Sequence, residues 1–155
     1  TDPSVALAMS EDYDTQKLYA ADTGLLVTQA FGSRPYTENE IYRALLLDRL
    51  SVNEGMVAEN VVAQTLTAGG DDLFFYSRNG KQGGVERMEI DFLLRRDSRI
   101  CPVEVKSAAY RQHASLDKFR KRFGERLASS TILYAKDVMV KDGIVHLPLY
   151  MASLI

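Results

Sequence analysis

The stretch that decides the fold is Glu89-Ile90-Asp91-Phe92-Leu93-Leu94, followed after a short turn by Ile100-Cys101-Pro102-Val103-Glu104-Val105-Lys106. Both runs are rich in the aromatic and aliphatic residues that favour β-strands. Asp97-Ser98 between them is a pair that favours a turn. A turn centred there joins the two runs into an antiparallel hairpin and places Asp91 opposite Glu104.

The charged side chains of this hairpin allow two interpretations. Residues i and i+2 of a strand share a face, so Glu104 and Lys106 project together, with Asp91 beside them. Two carboxylates that face each other across a ladder repel, and a hard divalent metal bound through oxygens would relieve the repulsion. The alternative is a charged solvent face on which Glu89 and Lys106 form an ordinary cross-strand pair. The apolar residues on both faces weaken this alternative, because a solvent-facing strand alternates apolar and polar residues.

A third carboxylate lies on the helix predicted just before the hairpin. Val52, Met56, Ala63 and Leu66 follow a helical spacing, and Glu59 occupies the middle of their stripe. Burying an unpaired carboxylate costs free energy. We therefore expect Glu59 to have a charged partner or a bound cation.

The segments around the hairpin predict an α/β domain with a mixed β-sheet flanked by helices. The predicted order is helix, three strands, helix and strand, at 51–69, 73–78, 87–95, 99–106, 115–127 and 130–135. We assign residues 51–155 to this domain. Residues 1–50 are predicted to be an N-terminal extension that packs on the core. Its first 15 residues should be extended or poorly ordered, followed by a short strand at 17–22 and helices at 23–29 and 37–50.

The composition is that of one globular domain. The 155 residues are 46 % hydrophobic and 26 % charged, which excludes a disordered tail and a disulfide scaffold. No apolar run reaches the roughly 18 residues that span a bilayer, and no secretory signal is evident. The single cysteine, Cys101, cannot form an internal disulfide. We therefore expect a cytoplasmic protein without a membrane partner.

The charge is unevenly distributed along the chain. Residues 1–72 hold 4 Lys/Arg and 12 Asp/Glu, whereas residues 73–155 hold 15 and 9. A basic half favours a polyanionic partner, although the two halves could also complement each other. The candidate phosphate contacts are Arg111, Lys118, Arg120, Lys121 and Arg122 around the predicted helix, and Arg78 on the strand before Asp91. The alternative for this helix is a solvated charged face.

A family pattern covers the candidate site. The string of Asp91, twelve intervening residues and Glu104-Val105-Lys106 resembles the PD-(D/E)XK signature of restriction-endonuclease-like nucleases. Glu59 is similar to a glutamate that recurs on an upstream helix of that superfamily. The resemblance implies a restriction-endonuclease-like core with the order αβββαβ. It also implies the catalytic set Glu59, Asp91, Glu104 and Lys106, with Mg²⁺ or Mn²⁺ held by Glu59, Asp91, Glu104 and the Val105 carbonyl.

A closer resemblance covers nearly the whole chain. Its segments are Lys17–Leu26, Gly55–Val61, Phe75–Arg78, Glu89–Phe92 and Val103–Ser107. Together they resemble the C-terminal domain of unknown function that follows a AAA-type ATPase module in a large prokaryotic ATPase family. This chain has no Gly-x4-Gly-Lys-Ser/Thr phosphate-binding loop, so we expect it to lack the ATPase module.

These resemblances imply two different functions. The first is a Mg²⁺-dependent nuclease that hydrolyses phosphodiester bonds, or a nuclease-derived module that binds nucleic acid, with DNA favoured over RNA. In either form it would be fused to or associated with an ATPase. The alternative is a catalytically inactive interaction or regulatory domain of that ATPase. The intact carboxylate and lysine set favours the first function, and the overall acidic balance mildly favours the second.

Overall fold

The protein contains one β-sheet with a helical layer on each of its two faces. The computed structural model describes residues 3, 6–31, 54–78, 87–107 and 113–155. Its elements are α1 Thr23–Phe31, α2 Glu54–Ala68, β1 Phe74–Arg78, β2 Met88–Arg96, β3 Arg99–Val105, α3 Ala114–Phe123, β4 Ser130–Tyr134, β5 Met139–Lys141 and β6 Ile144–Pro148, with 3₁₀ segments at Leu7–Ser10, Gly124–Arg126 and Leu149–Leu154. From α2 to β4, the predicted order of helix, three strands, helix and strand is confirmed.

The sheet is mixed, as predicted. Its six strands lie in the order β1-β2-β3-β4-β6-β5. β1, β2 and β3 are antiparallel neighbours, β3, β4 and β6 run parallel, and β5 pairs antiparallel with β6. In the β2–β3 hairpin Phe92 faces Val103 and Arg96 faces Arg99, which confirms the predicted register over these residues. The predicted pair of Asp91 and Glu104 lies beyond the end of this ladder. Asp97 turns the chain with φ at 54°, a left-handed conformation that Asp tolerates.

Each face of the sheet is covered by one long helix. On one face, α3 buries Leu116, Phe119 and Phe123 in a core cluster that also contains Tyr76 and Ile90. The Tyr76 and Phe119 rings pack edge to face with their centroids 5.2 Å apart. Burying an aromatic or aliphatic side chain of this size contributes about 1.5–3 kcal/mol. The burial of Leu116, Phe119 and Phe123 confirms the predicted apolar face of α3.

The second core cluster lies between α2 and the other face of the sheet. There Ala58, Val62 and Leu66 of α2 share a cluster with Phe92 and Val103. The stripe predicted from the helical spacing is wrong at Met56, whose side chain is 44 % exposed. The buried face of α2 is rotated toward Ala58 and Val62, because the sheet rather than the local pattern selects the face that is covered.

A β-bulge in β2 shapes the region around Asp91. Phe74 pairs with Leu93, but Tyr76 pairs with Ile90, so β2 contains one extra residue between these pairs. A bulge turns two consecutive side chains toward the same side of a sheet. Ile90 and Leu93 both belong to the α3-side cluster, whereas Phe92 belongs to the α2-side cluster. Asp91 accordingly lies beside Phe92 on the α2 side.

The N-terminal extension differs from the prediction in two places. Residues 17–22 form no strand, and the Ala20 and Thr23 N–H groups bind side chains of α2 instead of a neighbouring strand. We call residues 17–23 the strap. The start of the chain is not simply extended, because Leu7 begins a 3₁₀ turn and is buried in the α3-side cluster. The helix predicted at 37–50 lies outside the described residues.

Within the described residues, no helix combines the length and the apolar character needed to cross a membrane.

Candidate functional site

Three carboxylates from different parts of the chain converge on one ammonium group. Lys17 Nζ lies 3.3 Å from Glu59 Oε1, 3.2 Å from Glu89 Oε1 and 3.3 Å from Asp91 Oδ1. It donates hydrogen bonds to Glu59 and Asp91. The Lys17 side chain is only 19 % exposed. The strap, α2 and β2 therefore meet at one charged cluster, which we call the Lys17 cluster.

Asp91 connects the Lys17 cluster to β3. Its Oδ1 faces Lys17, while its Oδ2 accepts a hydrogen bond of 2.9 Å from the backbone N–H of Val105. Phe92 and Val103 form the last β2–β3 pair of the ladder on this side. The Asp91 carboxylate thus replaces a backbone partner just beyond the end of the hairpin ladder. The bulge makes this geometry available by turning Asp91 toward α2.

Burial and charge shift the titration of the Lys17 cluster. The pKa of Glu59 is raised to about 7. Burial is the largest cause, and a hydrogen bond with Asp91 and the charge of Asp91 also raise the pKa, whereas Lys17 lowers it. A hydrogen bond between two carboxyl groups needs a proton on one of them. Burial lowers the pKa of Lys17, but the charges of Asp91 and Glu59 outweigh it and raise that pKa above its ordinary value. Lys17 therefore stays charged near neutral pH.

Glu104 and Lys106 form a second charged pair on β3 and the residue that follows it. Lys106 Nζ lies 2.7 Å from Glu104 Oε2, so the prediction that these side chains project together is confirmed. Glu104 is 2 % exposed, and Oε2 has no partner at hydrogen-bonding angles among the described residues. Burial raises the pKa of Glu104, while the close contact with the Lys106 ammonium lowers it.

The Lys17 cluster and the Glu104–Lys106 pair lie on either side of Val105. Val103 and Val105 belong to the α2-side cluster, so strand alternation directs Glu104 and Lys106 toward the α3 side. Asp91 lies on the α2 side, yet its charge still raises the pKa of Glu104. Asp91 contacts β3 through the Val105 N–H, and Glu59 lies with Asp91 at Lys17 rather than with Glu104.

The charged pair expected for a solvent-facing hairpin does not form. Glu89 binds Lys17 at 3.2 Å and Arg87 at 3.7 Å, whereas Lys106 binds Glu104. Sequence reasoning missed Lys17 and assigned Glu89 to a different partner. One signal was available, because Lys17 is the only Lys or Arg among the first 33 residues. A lone cation beside apolar residues in an acidic segment indicates a specific carboxylate partner.

The Lys17 cluster contains the type of donor atom, carboxylate oxygen, that a hard divalent cation prefers. Carboxylate and carbonyl oxygens are the ligands that Mg²⁺ and Mn²⁺ prefer, and Glu59, Glu89 and Asp91 already turn oxygens toward one positive charge. Across the described ranges, no group of three or more His, Cys, Asp or Glu side chains is placed to hold a metal ion. The position at which these carboxylates converge is taken by the Lys17 ammonium.

The candidate phosphate contacts among the described residues lie on α3 and on β1. Lys121 and Arg122 are exposed, while Lys118, Arg120 and Arg78 are half-buried. Arg111 lies outside the described residues. An electrostatic interaction with His113, just before α3, is among the smaller causes that lower the pKa of Glu104. Lys121 and Arg122 are at the opposite end of the helix. Their contact with phosphate remains a prediction.

The fold and the site define an α/β domain with a charged site at the end of its central hairpin. The chain belongs to a family described as a domain of unknown function (DUF4143), whose sequence model matches residues 54–151. The matched range contains Glu59, Glu89, Asp91, Glu104 and Lys106, and begins after the strap. No curated protein and no solved structure matches the chain. The predicted membership of a domain family of unknown function is confirmed.

Proposed function

We propose that this chain is a metal-dependent nuclease domain of the PD-(D/E)XK type that acts together with an AAA-type ATPase. The observation that carries the proposal is the convergence of Glu59, Glu89 and Asp91 on a single cation. Three carboxylates in a mostly buried position need a positive charge to be stable. A nuclease requires such a concentration of negative charge to bind its metal ion.

The proposed roles follow from the chemistry of each group. Asp91, Glu104 and the Val105 carbonyl would hold one or two Mg²⁺ or Mn²⁺ ions. Glu59 would complete the metal shell or position a second ion. A bound ion would supply a water with a lowered pKa and would neutralise charge on the phosphate. The Lys106 ammonium would orient the attacking water or stabilise negative charge that develops on the phosphate. Its contact with Glu104 at 2.7 Å would hold the ammonium at the site.

The charge of the second half of the chain supports a nucleic-acid substrate. Residues 73–155 hold 15 Lys/Arg against 9 Asp/Glu. Lys121 and Arg122 are exposed on α3, where they can contact a phosphate backbone without reading its sequence. We favour DNA over RNA as the substrate. The exposed end of α3 would position the backbone, and the hairpin end would cleave it.

One observation favours a second candidate function, that of an inactive interaction or regulatory domain of the ATPase. The carboxylates already have cations from the chain itself, since Lys17 binds Glu59, Glu89 and Asp91, and Lys106 binds Glu104. Such pairing would stabilise the fold without any metal. In this function the family fold would persist as a surface for assembly with the ATPase.

A cleavage assay with matched variants separates the two functions. Single- and double-stranded DNA and RNA would be incubated with Mg²⁺ or Mn²⁺ and the wild-type, Asp91→Asn, Lys106→Met or Lys141→Met chain. Lys141 is an exposed lysine at the end of β5, so it is the matched control for Lys106. We expect cleavage by the wild type and Lys141→Met, and its loss in the other two variants. Cleavage that persists in Asp91→Asn would contradict the proposed site. Absence of cleavage on every substrate would favour the second function.

A further inference from the structure

The final hairpin of the chain leaves one edge of the sheet open. β5 is the last strand in the sheet order and, among the described residues, it pairs with β6 alone. Val140 of β5 is 71 % exposed, and Val138, just before β5, is 55 % exposed. An open strand with exposed apolar side chains is a surface on which a further strand can pair.

The turn of this hairpin sets the direction of the backbone groups of β5. Asp142 and Gly143 have φ values of 52° and 71°, as in the two-residue turn of type I′. Lys141 and Ile144 flank the turn and are paired in the ladder. In such a turn the flanking residues form a hydrogen-bonded pair, so the N–H and C=O groups of Lys141 point toward β6.

Alternation along the ladder leaves two residues with outward backbone groups. Hydrogen-bonded and non-hydrogen-bonded pairs alternate in an antiparallel ladder. The N–H and C=O groups of Met139 therefore point toward β6, whereas those of Val138 and Val140 point away from the sheet. The Asp137 carbonyl follows the same alternation, since it accepts a hydrogen bond from the hydroxyl of Tyr134 on β4. The free edge thus offers the donors and acceptors of two valines.

The sequence of this edge complements itself when it is reversed. Residues 136–142 read Lys-Asp-Val-Met-Val-Lys-Asp. An antiparallel second copy centred on Met139 places Val138 opposite Val140 and Asp137 opposite Lys141. Each valine pair then exchanges hydrogen bonds through the groups that point outward. Asp137 and Lys141 are exposed, and opposite charges that face each other across a ladder attract.

Charge also selects this register over its neighbours. A lysine on an edge strand normally opposes pairing with another chain. A register centred on Val140 instead would place Lys141 opposite Met139. It would also place Asp142, which lies in the turn, opposite Val138. With Met139 at the centre, each lysine at position 141 meets a carboxylate.

We propose that β5 pairs antiparallel with β5 of a second copy of this chain, centred on Met139, and that a twofold axis joins the two sheets into one. Asp137 of each copy faces Lys141 of the other. The inference does not depend on the proposed function, because β4 and β6 separate β5 from β3 and the charged site. A change at Lys141 accordingly acts on the dimer and leaves the charged site as it is.

The first test is sedimentation equilibrium of the wild type. An interface of one short strand per copy is small, so we expect a dimer with a dissociation constant on the order of 100 µM, measured between about 10 µM and 1 mM protein. A wild type that stays monomeric throughout this range would overturn the inference.

Exchange of the two charges tests the register. Asp137→Lys alone sets lysines against each other, and Lys141→Asp alone sets aspartates against each other. We expect either variant to dimerise at least about fivefold more weakly than the wild type. An equal mixture of the two variants should recover the wild-type affinity, because every charge then meets its opposite.

The matched control for the charge exchange is Glu125→Lys, an exposed charge reversal away from β5, which should dimerise like the wild type. Equal dimerisation by Asp137→Lys, Lys141→Asp and the wild type would overturn the inference. So would a mixture of the two variants that associates no more tightly than either one alone.

Amide hydrogen exchange in the wild type locates the interface without any substitution. We expect exchange at the Val138 and Val140 N–H groups to slow as the protein concentration rises through the dissociation constant. The Met139 N–H, which already points toward β6, is the internal control, and its exchange should depend little on concentration. A dimer in which the Val138 and Val140 amides exchange as fast as in the monomer would have its interface elsewhere and would overturn the inference.

Discussion

The ionisation of Glu59 affects the stability of the fold. Its pKa rises from 4.5 to about 7, chiefly through burial, so the folded chain retains a proton that the unfolded chain releases. The stabilisation of the folded state by this proton is fully present below about pH 4.5 and is lost as the pH rises to about 7. We predict that Glu59→Gln removes roughly 1–3 kcal/mol of this pH dependence. Urea unfolding between pH 4.5 and 8 measures it.

The exposed Glu125→Gln variant serves as the control for Glu59→Gln, since it removes a carboxylate on the opposite side of the domain. Its unfolding free energy should keep the slope of the wild type across this pH range. A Glu59→Gln variant with the same slope as the wild type would show that Glu59 does not hold the raised pKa.

Lys106 has a structural role that can be separated from its proposed catalytic one. Glu104 is 2 % exposed and depends on Lys106 at 2.7 Å. We predict that Lys106→Met destabilises the fold by roughly 3 kcal/mol, because it leaves a buried carboxylate without its cation. Glu104→Gln in the same chain should recover part of this loss, as a double-mutant cycle would measure. Full additivity of the two substitutions would contradict the pairing.

At the scale of elements, the strap depends on Asn60, which is 2 % exposed on α2. Asn60→Ala removes both hydrogen bonds to Ala20 and leaves backbone groups unpaired. We predict a loss of roughly 2–3 kcal/mol and faster hydrogen exchange at the Ala20 amide. Gln29→Ala, an exposed change on α1, should leave both unchanged. Slow exchange at Ala20 in Asn60→Ala would contradict the proposed anchoring.

The strap also shows which elements the sequence predicts and which it does not. The apolar runs of β2 and β3 are long enough to predict the hairpin and its register. The pattern at residues 17–22 indicates extended backbone, but it does not reveal whether a strand or a helix side chain supplies the partner. Asn60 lies 40 residues away in the chain, and no local spacing connects it to Ala20. The strand expected there was wrong for this reason.

At the scale of the whole molecule, the order of elements and the mixed sheet were predictable, because each follows from a change in hydrophobic period. The composition of the site was predictable only in part. Asp91, Glu104 and Lys106 stand out along one hairpin, and Glu59 stands out as a charge in an apolar stripe. The bulge that turns Asp91 toward α2 and the contact with Lys17, 74 residues away, depend on tertiary packing. Sequence spacing does not predict the bulge or the contact, although the isolation of Lys17 in an acidic segment indicates that it has a carboxylate partner.

The uneven charge of the whole chain predicts a salt-dependent affinity for nucleic acid. If Lys121 and Arg122 contact phosphates, replacing both with Gln should reduce the slope of log affinity against log salt by about 2. Fluorescence anisotropy with a DNA duplex and with RNA measures this slope. Lys141→Gln on β5 should leave it unchanged. An equal slope in the double variant would exclude this end of α3 as the contact.

The most direct test of the central claim is calorimetric titration of the whole chain with Mn²⁺, comparing the wild type with Asp91→Asn and Asp72→Asn. Asp72 is exposed before β1, so its variant makes the same chemical change away from the site. We predict saturable binding by the wild type and Asp72→Asn, and its loss in Asp91→Asn. Absence of binding in the wild type, or equal binding in Asp91→Asn, would contradict a metal site built on Asp91.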